Sequence, residues 1–478
     1  MNVEVAPCPR THVASAGGKG VPPALSGIPA DRVVAIVGAG PAGCALAIRL
    51  AQRGVPVVVF DSGRRPSLTV GESLVPAAMP HLRTLGVERE VLAGNVHKPG
   101  ALLVHGSGER ADFRFRALGA RAPGYACNVA RPRFDETLAR RARQLGVRFV
   151  PHRAGLIAGP PGAAREIALD ERSLARLDAD PGPDGCRHPA LLVDATGRAR
   201  VFARRLGLTA TRGERDDVAC FAHFEGMRHD DAAPGQIVIS VLRHGWSWRI
   251  PLEGTRHGEP GPGRVSVGVV VPRETSDGGE SAAERLERAM REEPLLAEVS
   301  CGASRCSRAL RYEHYRLVGE RAGGPGWVAV GDAFGFVDPM LSPGVFMALE
   351  AAVQLNDRVR ITRDGRPQVQ DLVGYERTLH AWFDGWNRVI ETFYDGRMLA
   401  LQRAARQRTV DAHGPGARLH RAVEACVRRA IAELVSGTGT RSRLAQAVLA
   451  RSAGHLLRDA GEQDLPARFA VRRPDVRR

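Results

Sequence analysis

Lysine is nearly missing from this chain. Only Lys19 and Lys98 stand among 68 basic residues, so arginine supplies the other 66. Aromatic residues are scarce at 5%, and where they cluster the cluster carries information. No apolar run reaches the roughly 18 residues that a bilayer crossing takes, so no membrane partner is expected. The eight cysteines (Cys8, Cys44, Cys127, Cys186, Cys220, Cys301, Cys306 and Cys426) form no CxxC pair and have no histidine at zinc-ligand spacing. That pattern argues against a metal, an iron–sulfur centre or a disulfide framework, and it predicts a reducing, cytoplasmic setting. Neither a zinc finger nor an RNP-type stretch accompanies the net charge of +16, and the arginines are scattered. Nucleic acid is therefore not the expected partner; a phosphate-bearing ligand suits the charge better.

What is present is the composition of a folded protein, 44% apolar and 25% charged over 478 residues, enough for two or three domains. Residues 1–31 are rich in Pro, Gly and Ala, lack the apolar core of a signal peptide, and are expected to be a disordered leader. "RVVAIVGAGPAGCALAIRLAQRGVPVVVFDSG" (32–63) then reads as strand, glycine turn, helix and strand. Short mixed elements follow to residue 214, including an apolar helical stripe through Phe134, Leu138, Ala142 and Leu145. Residues 215–320 read as antiparallel strands between Gly/Pro loops, inserted into the first domain. Residues 321–370 return to strand, loop and helix, and 371–478 form a helical region with a basic tail. The expected fold class is α/β: a Rossmann-type dinucleotide-binding domain, an inserted antiparallel-sheet substrate domain, and C-terminal helices.

Gly38, Gly40 and Gly43 form GxGxxG between a strand and a helix, with Pro41 and Ala42 opening that helix. Glycine there lets backbone N–H groups and the helix N-terminus approach a pyrophosphate. Asp61 ends the next strand 18 residues after Gly43, placed for ribose hydroxyls. The stretches "VDATGR" (193–198) and "VAVGDAFGFVDP" (328–339) favour FAD over NAD, with Asp332 set to accept hydroxyls of a ribityl chain. There is no second GxGxxG unit for NAD(P)H, so one dinucleotide is expected.

The order GxGxxG followed by GD resembles FAD-dependent aromatic hydroxylases of the glutathione-reductase type, which implies that the Rossmann-type domain is an FAD-binding domain of that kind. Three stretches narrow the resemblance to the flavin-dependent halogenase branch: "VGESLVP" (70–76), "WSWRIP" (246–251) and "KPGALLVHG" (98–106). The resemblance spans roughly residues 32 to 400. It implies that Glu72 and Ser73 lie against the flavin, that Arg131 contacts FAD, and that Lys98 is the catalytic lysine. Trp246 and Trp248 would fill the space between flavin and substrate. In that family reduced FAD and O2 convert halide to hypohalous acid, which travels inside the protein to the lysine and halogenates an electron-rich ring. A separate reductase delivers the reduced flavin.

Two departures from the family pattern bear on the substrate. The halide turn, Ser/Thr-Ser/Thr-Gly in the family, is Ser342-Pro343-Gly344 here. Proline has no N–H, and losing one charge-assisted donor costs about 1.5–3 kcal/mol at an anion site. The Ser342 hydroxyl and the Gly344 N–H remain. Leu341 stands where tryptophan halogenases carry a glutamate, which favours a phenol, pyrrole or other activated ring, free or bound to a carrier or protein. The expected role is a tailoring step such as antibiotic biosynthesis contains. Because Pro343 also resembles the loop of aromatic hydroxylases, hydroxylation stays open beside halogenation. Glu72 could equally cap backbone, and Arg131 could simply begin a helix. Trp382, Trp386, Ile390 and Phe393/Tyr394 form a helical stripe that is either core or pocket wall, and residues 417–460 are either a solvated face or a docking surface.

Overall fold

The computed structural model describes residues 25–396 apart from 67, 106–108, 118–121, 161–162, 229–233, 254–262, 276–278 and 314–315, together with 433, 436 and 437. A six-stranded sheet runs in the order Gly323–Gly324, Trp327–Ala329, Leu191–Asp194, Val34–Val37, Val57–Phe60 and Arg148–Val150. All its pairings are parallel except the first. Its inner strands are buried along their whole length, which explains their valine-rich apolar runs. Helix Pro41–Ala51 follows the glycine turn and packs against helix Gly344–Arg358.

The second sheet has eight strands. Its spine is Asp217–Glu225, Arg264–Pro272, Gly245–Glu253 and Ile237–Leu242, antiparallel throughout. It extends beyond the expected 215–320 segment. Gly100–Val104 joins Ile237–Leu242 in parallel, and Arg110–Arg114 forms the far edge. Such a pairing joins residues more than a hundred positions apart, which local periodicity does not report. Alternation gives the sheet two apolar faces. Val265, Val267, Val269 and Val271 pack outward on helix Ala282–Glu292, which begins with a reciprocal Ser281–Glu284 capping box. The other face carries Phe221, Trp246, Trp248 and Val270 into the main core, against the FAD-type domain.

The expected disordered leader needs correction at its end. Leu25–Pro29 is a strand paired with Ala179–Asp180, and Ala30–Arg32 is a helical turn, held in part by the buried Asp31 to Arg366 at 2.8 Å. Residues 1–24 and nearly all of the expected helical region beyond 396, the 417–460 stretch and basic tail included, lie outside the described residues. Helix Leu372–Tyr394 is described, capped by the Asp371 side chain on the Gly374 N–H. On it Trp386, Ile390 and Phe393 are core, whereas Trp382 and Phe383 reach the cavity described below. Both readings of the stripe hold, on different residues.

Gly268 shows how closely the inner face is packed. It lies opposite Trp248, and a Cβ there would sit 2.1 Å from the indole ring. Gly268→Ala should overpack the core, cost about 1–3 kcal/mol, and lower the melting temperature measured by circular dichroism. An unchanged melting temperature would contradict this packing.

Candidate active site

One cavity of about 700 Å³ joins the two sheets. At one end it is bounded by Val37–Ala42, Asp61 and Arg131, and at the other by Ile237, Ile239, Trp246, Trp248 and Ile250. Gly38 is left-handed (φ +112°) and leaves no room for a side chain, since a Cβ would lie 2.3 Å from the Ala195 carbonyl oxygen. Gly43 does not border the cavity; it lets the helix pack on the Gly38 carbonyl, 2.1 Å from where its Cβ would be. Gly40 faces open space and has no side chain to cap the helix, so the first N–H groups of Pro41–Ala51 are available to an anion. Asp61 sits at the cavity edge, accepting from the Gly63 N–H and from Arg65. Asp332, in the turn Gly331–Ala333, also borders the cavity. Burial pushes its carboxyl up to about 6 against the pull of Arg198 and Arg131. The loop, the uncapped helix and the two carboxylates suit the pyrophosphate and hydroxyls of FAD.

Arg131 borders the cavity but is heavily engaged. It grips Asp135 with two hydrogen bonds at 3.0 and 3.1 Å and donates to the Val70 carbonyl. It thereby fixes the turn that leads into Glu72 and Ser73. Glu72 is buried at the cavity wall, 2.6 Å from His223 Nε2 on the second sheet. Sequence reasoning missed His223, which lies 151 positions away.

Trp246 and Trp248 alternate on one strand and so share its inner face, ring centroids 5.7 Å apart and tilted by 46°. Each indole N–H is satisfied. Trp248 donates to Ser266 Oγ at 3.3 Å and Trp246 to the Tyr394 hydroxyl at 2.9 Å. Tyr394 in turn donates to Asp338 Oδ2 at 2.9 Å. Burial holds the Tyr394 phenol well above its ordinary range, so it stays protonated as donor. Burial also pushes the Asp338 carboxyl up to about 6, opposed by the Met340 N–H. Asp338 lies in the "VDP" of the GD stretch, where its acidity was visible in sequence but its partner was not.

Around the halide turn, Leu341 (φ 65°) and Ser342 (φ 57°) are both left-handed, a conformation costing roughly 1–2 kcal/mol for a side-chain-bearing residue. The Ser342 N–H is already committed to the Pro339 carbonyl at 3.0 Å, and Pro343 has none. Leu341, Ser342, Pro343 and Gly344 all border the cavity, and Gly344 is the first residue of a 15-residue helix. An anion there would meet that helix N-terminus.

Lys98 lies at the end of strand Val96–Lys98 and is buried, 2% exposed. Nζ donates to Ser73 Oγ at 2.8 Å and to the Leu74 carbonyl at 2.9 Å, with the Phe115 ring 5.4 Å away. Burial pulls its amine down to about 7. It does not itself border the cavity; Ser73 does. The amine therefore stands one hydrogen bond behind the wall.

Comparison with known proteins fits this geometry. The FAD binding domain family matches residues 31–155, and the tryptophan halogenase family matches residues 116–399, more than half of the chain. The chain belongs to the tryptophan halogenase family. A tryptophan 2-halogenase of Chondromyces crocatus is 27% identical over 376 residues, covering 77% of this chain and 69% of the relative. A 1H-pyrrole-2-carbonyl-[peptidyl-carrier protein] brominase of Pseudoalteromonas luteoviolacea (strain 2ta16) is 28% identical over 349 residues, covering 70% and 78%. Among solved structures, the flavin-dependent brominase Bmp2 superposes with TM-score 0.66 at 20% identity over 89% of this chain and 98% of its own. The halogenase PltM with phloroglucinol and FAD gives 0.66 at 15% identity over 92% and 94%. At those identities the likeness speaks to the fold. As a member of this halogenase family the chain is an FAD-dependent oxidoreductase, and its reaction is halogenation of an aromatic ring. Among the described residues no helix is long and apolar enough to cross a membrane.

The depressed amine has a consequence for stability. The Lys98 amine titrates near 7 when folded, against roughly 10.4 in an unfolded chain. Below about 7 the folded state must bury a charged ammonium at full cost. Between the two values the unfolded state binds more protons, so stability rises with pH. Lys98→Met removes this cost, about 5 kcal/mol at most. Its melting temperature should gain most, relative to wild type, at pH 6 and least near pH 10. A pH-independent difference would show that the amine is not desolvated.

Proposed function

We propose that this chain halogenates an electron-rich ring of phenol or pyrrole type, and that Lys98 delivers the halogen. The observation carrying this reading is the buried amine with no carboxylate partner among the described residues, set behind the wall of a cavity that also holds the nucleotide loop and the tryptophan pair. When bound, FAD supplies the reducing equivalents and oxygen chemistry that turn halide into hypohalous acid.

The glycine loop, Asp61 and Asp332 hold the dinucleotide. The helix N-terminus at Gly344, with the Ser342 hydroxyl, holds halide beside it. Trp246 and Trp248 fill the cavity between flavin and ring, and Tyr394 fixes the first of them, so the substrate stays clear of the flavin. At Lys98 the neutral amine attacks the halogen. The N–halogen bond forms as the oxygen–halogen bond breaks, and the amine proton leaves with the oxygen as water. The ring then takes the halogen and returns a proton to the nitrogen. An arginine at this position could not do this, because its guanidinium stays protonated.

Leu341 supports a ring activated by its own substituents. A carrier-bound substrate is supported by the relative named as a pyrrolyl carrier-protein brominase. Reduced flavin comes from a separate reductase, as the single dinucleotide motif suggests.

With reduced FAD, O2 and bromide, simple phenols and pyrroles should gain bromine by mass spectrometry. Lys98→Ala should lose that product to below detection while still oxidising reduced FAD. A gain of one oxygen regardless of halide would support a hydroxylase instead, and bromination by Lys98→Ala would sink the role of the amine. Pro343→Ala restores a backbone N–H without adding a competing hydroxyl. It should lower the bromide concentration for half-maximal bromination about tenfold; an unchanged bromide dependence would place the halide elsewhere.

A further inference from the structure

We propose that Ser73 is the portal between the cavity and Lys98: its hydroxyl is the wall that the oxidant meets, and it holds the amine on the far side. This rests on the reading of Lys98 given above, and it moves Ser73 from a flavin contact to a part of the amine's own site.

The geometry comes from a small three-stranded ribbon. Val96–Lys98 pairs antiparallel with Ala126–Asn128, Lys98 opposite Ala126 and Val96 opposite Asn128. On the other edge of Ala126–Asn128, Ser73 bridges Asn128, with the Leu74 N–H on the Cys127 carbonyl and the Val129 N–H on the Glu72 carbonyl. Residues opposite one another share a face, so Lys98, Ala126, Asn128 and Ser73 lie on one side of the ribbon. The Lys98 side chain crosses that face to reach Ser73. Of these four, Ser73 alone borders the cavity.

Asn128 supplies the second observation. It is wholly buried, and Nδ2 donates to the Gly235 carbonyl at 3.0 Å, which fixes the orientation of the amide. Oδ1 is left buried without a partner. A buried acceptor without a donor is costly and calls for an explanation. Hypohalous acid brings one O–H donor. Held by Asn128 Oδ1, it would present its halogen to the neighbouring amine. A serine hydroxyl can rotate aside to let so small a neutral molecule leave the cavity, whereas an aromatic ring on the amine side could not pass the other way to the flavin. The titratable group acting on Lys98 is the Cys127 thiol, and burial pushes that thiol up to about 12, so it remains neutral beside the amine. Glu72, on the opposite face of the ribbon, is turned to His223.

The scarcity of lysine makes a direct test practical. In protein grown on ¹³C-lysine and loaded with FAD, only Lys19 and Lys98 give side-chain signals. Lys19→Arg identifies the one from Lys98. Ser73→Ala deletes an acceptor of the ammonium and should lower the Lys98 titration midpoint by about one to two pH units, with Ser73→Thr restoring it. In turnover with bromide and a diketone trap, Ser73→Ala should give about tenfold less brominated product per bromide oxidised, the remainder appearing in the trap. If wild-type protein oxidises no bromide, the halogenation reading falls and the portal with it. If it oxidises bromide but Ser73→Ala moves neither the midpoint nor the product ratio, the portal alone is overturned.

Discussion

An amine buried among neutral groups is the constraint from which the rest of this site follows. Lys98 has a serine hydroxyl, a carbonyl and a phenylalanine ring around it, and among the described residues no carboxylate is paired with it. Water has been removed without a counter-charge being supplied, so the neutral form is favoured. A neutral amine is what halogen transfer requires. The fold supports this by placing the buried amine on a ribbon beside the strand Gly245–Glu253, rather than in the cavity where the dinucleotide goes.

That separation is built by packing. The tryptophan strand can place two indoles on one face only because Gly268 on its neighbour has no side chain. The first indole is then held by Tyr394 from a helix nearly 150 positions away, and Tyr394 is anchored by Asp338. Asp338 belongs to the same stretch as Asp332, so the loop expected to meet the ribityl chain also fixes the aromatic wall. The two ends of the cavity are mechanically one unit. Strain at Leu341 and Ser342, in the turn between them, is held in place by this surrounding structure.

The parts legible in the sequence were those written in local pattern. The glycine turn between a strand and a helix, the alternate tryptophans and the solitary lysine each announce themselves within a few residues. Lys98 was conspicuous because the rest of the chain uses arginine. Contacts made across the chain were not legible. His223 against Glu72, Tyr394 against Asp338, and the parallel pairing of Gly100–Val104 with Ile237–Leu242 depend on how distant strands are brought together. The tie between Lys98 and Ser73 spans only 25 positions, yet it needs the ribbon register to be seen. The strand Leu25–Pro29 escaped notice for a related reason, since its partner is near residue 180.

Anomalous diffraction would test the central claim most directly. Crystals holding FAD, reduced in place and exposed to O2 and bromide without substrate, should show bromine beside Lys98 Nζ on the Asn128 side of Ser73, apart from bromide at the Gly344 turn. Bromine confined to the cavity, with none beside Lys98, would contradict the account.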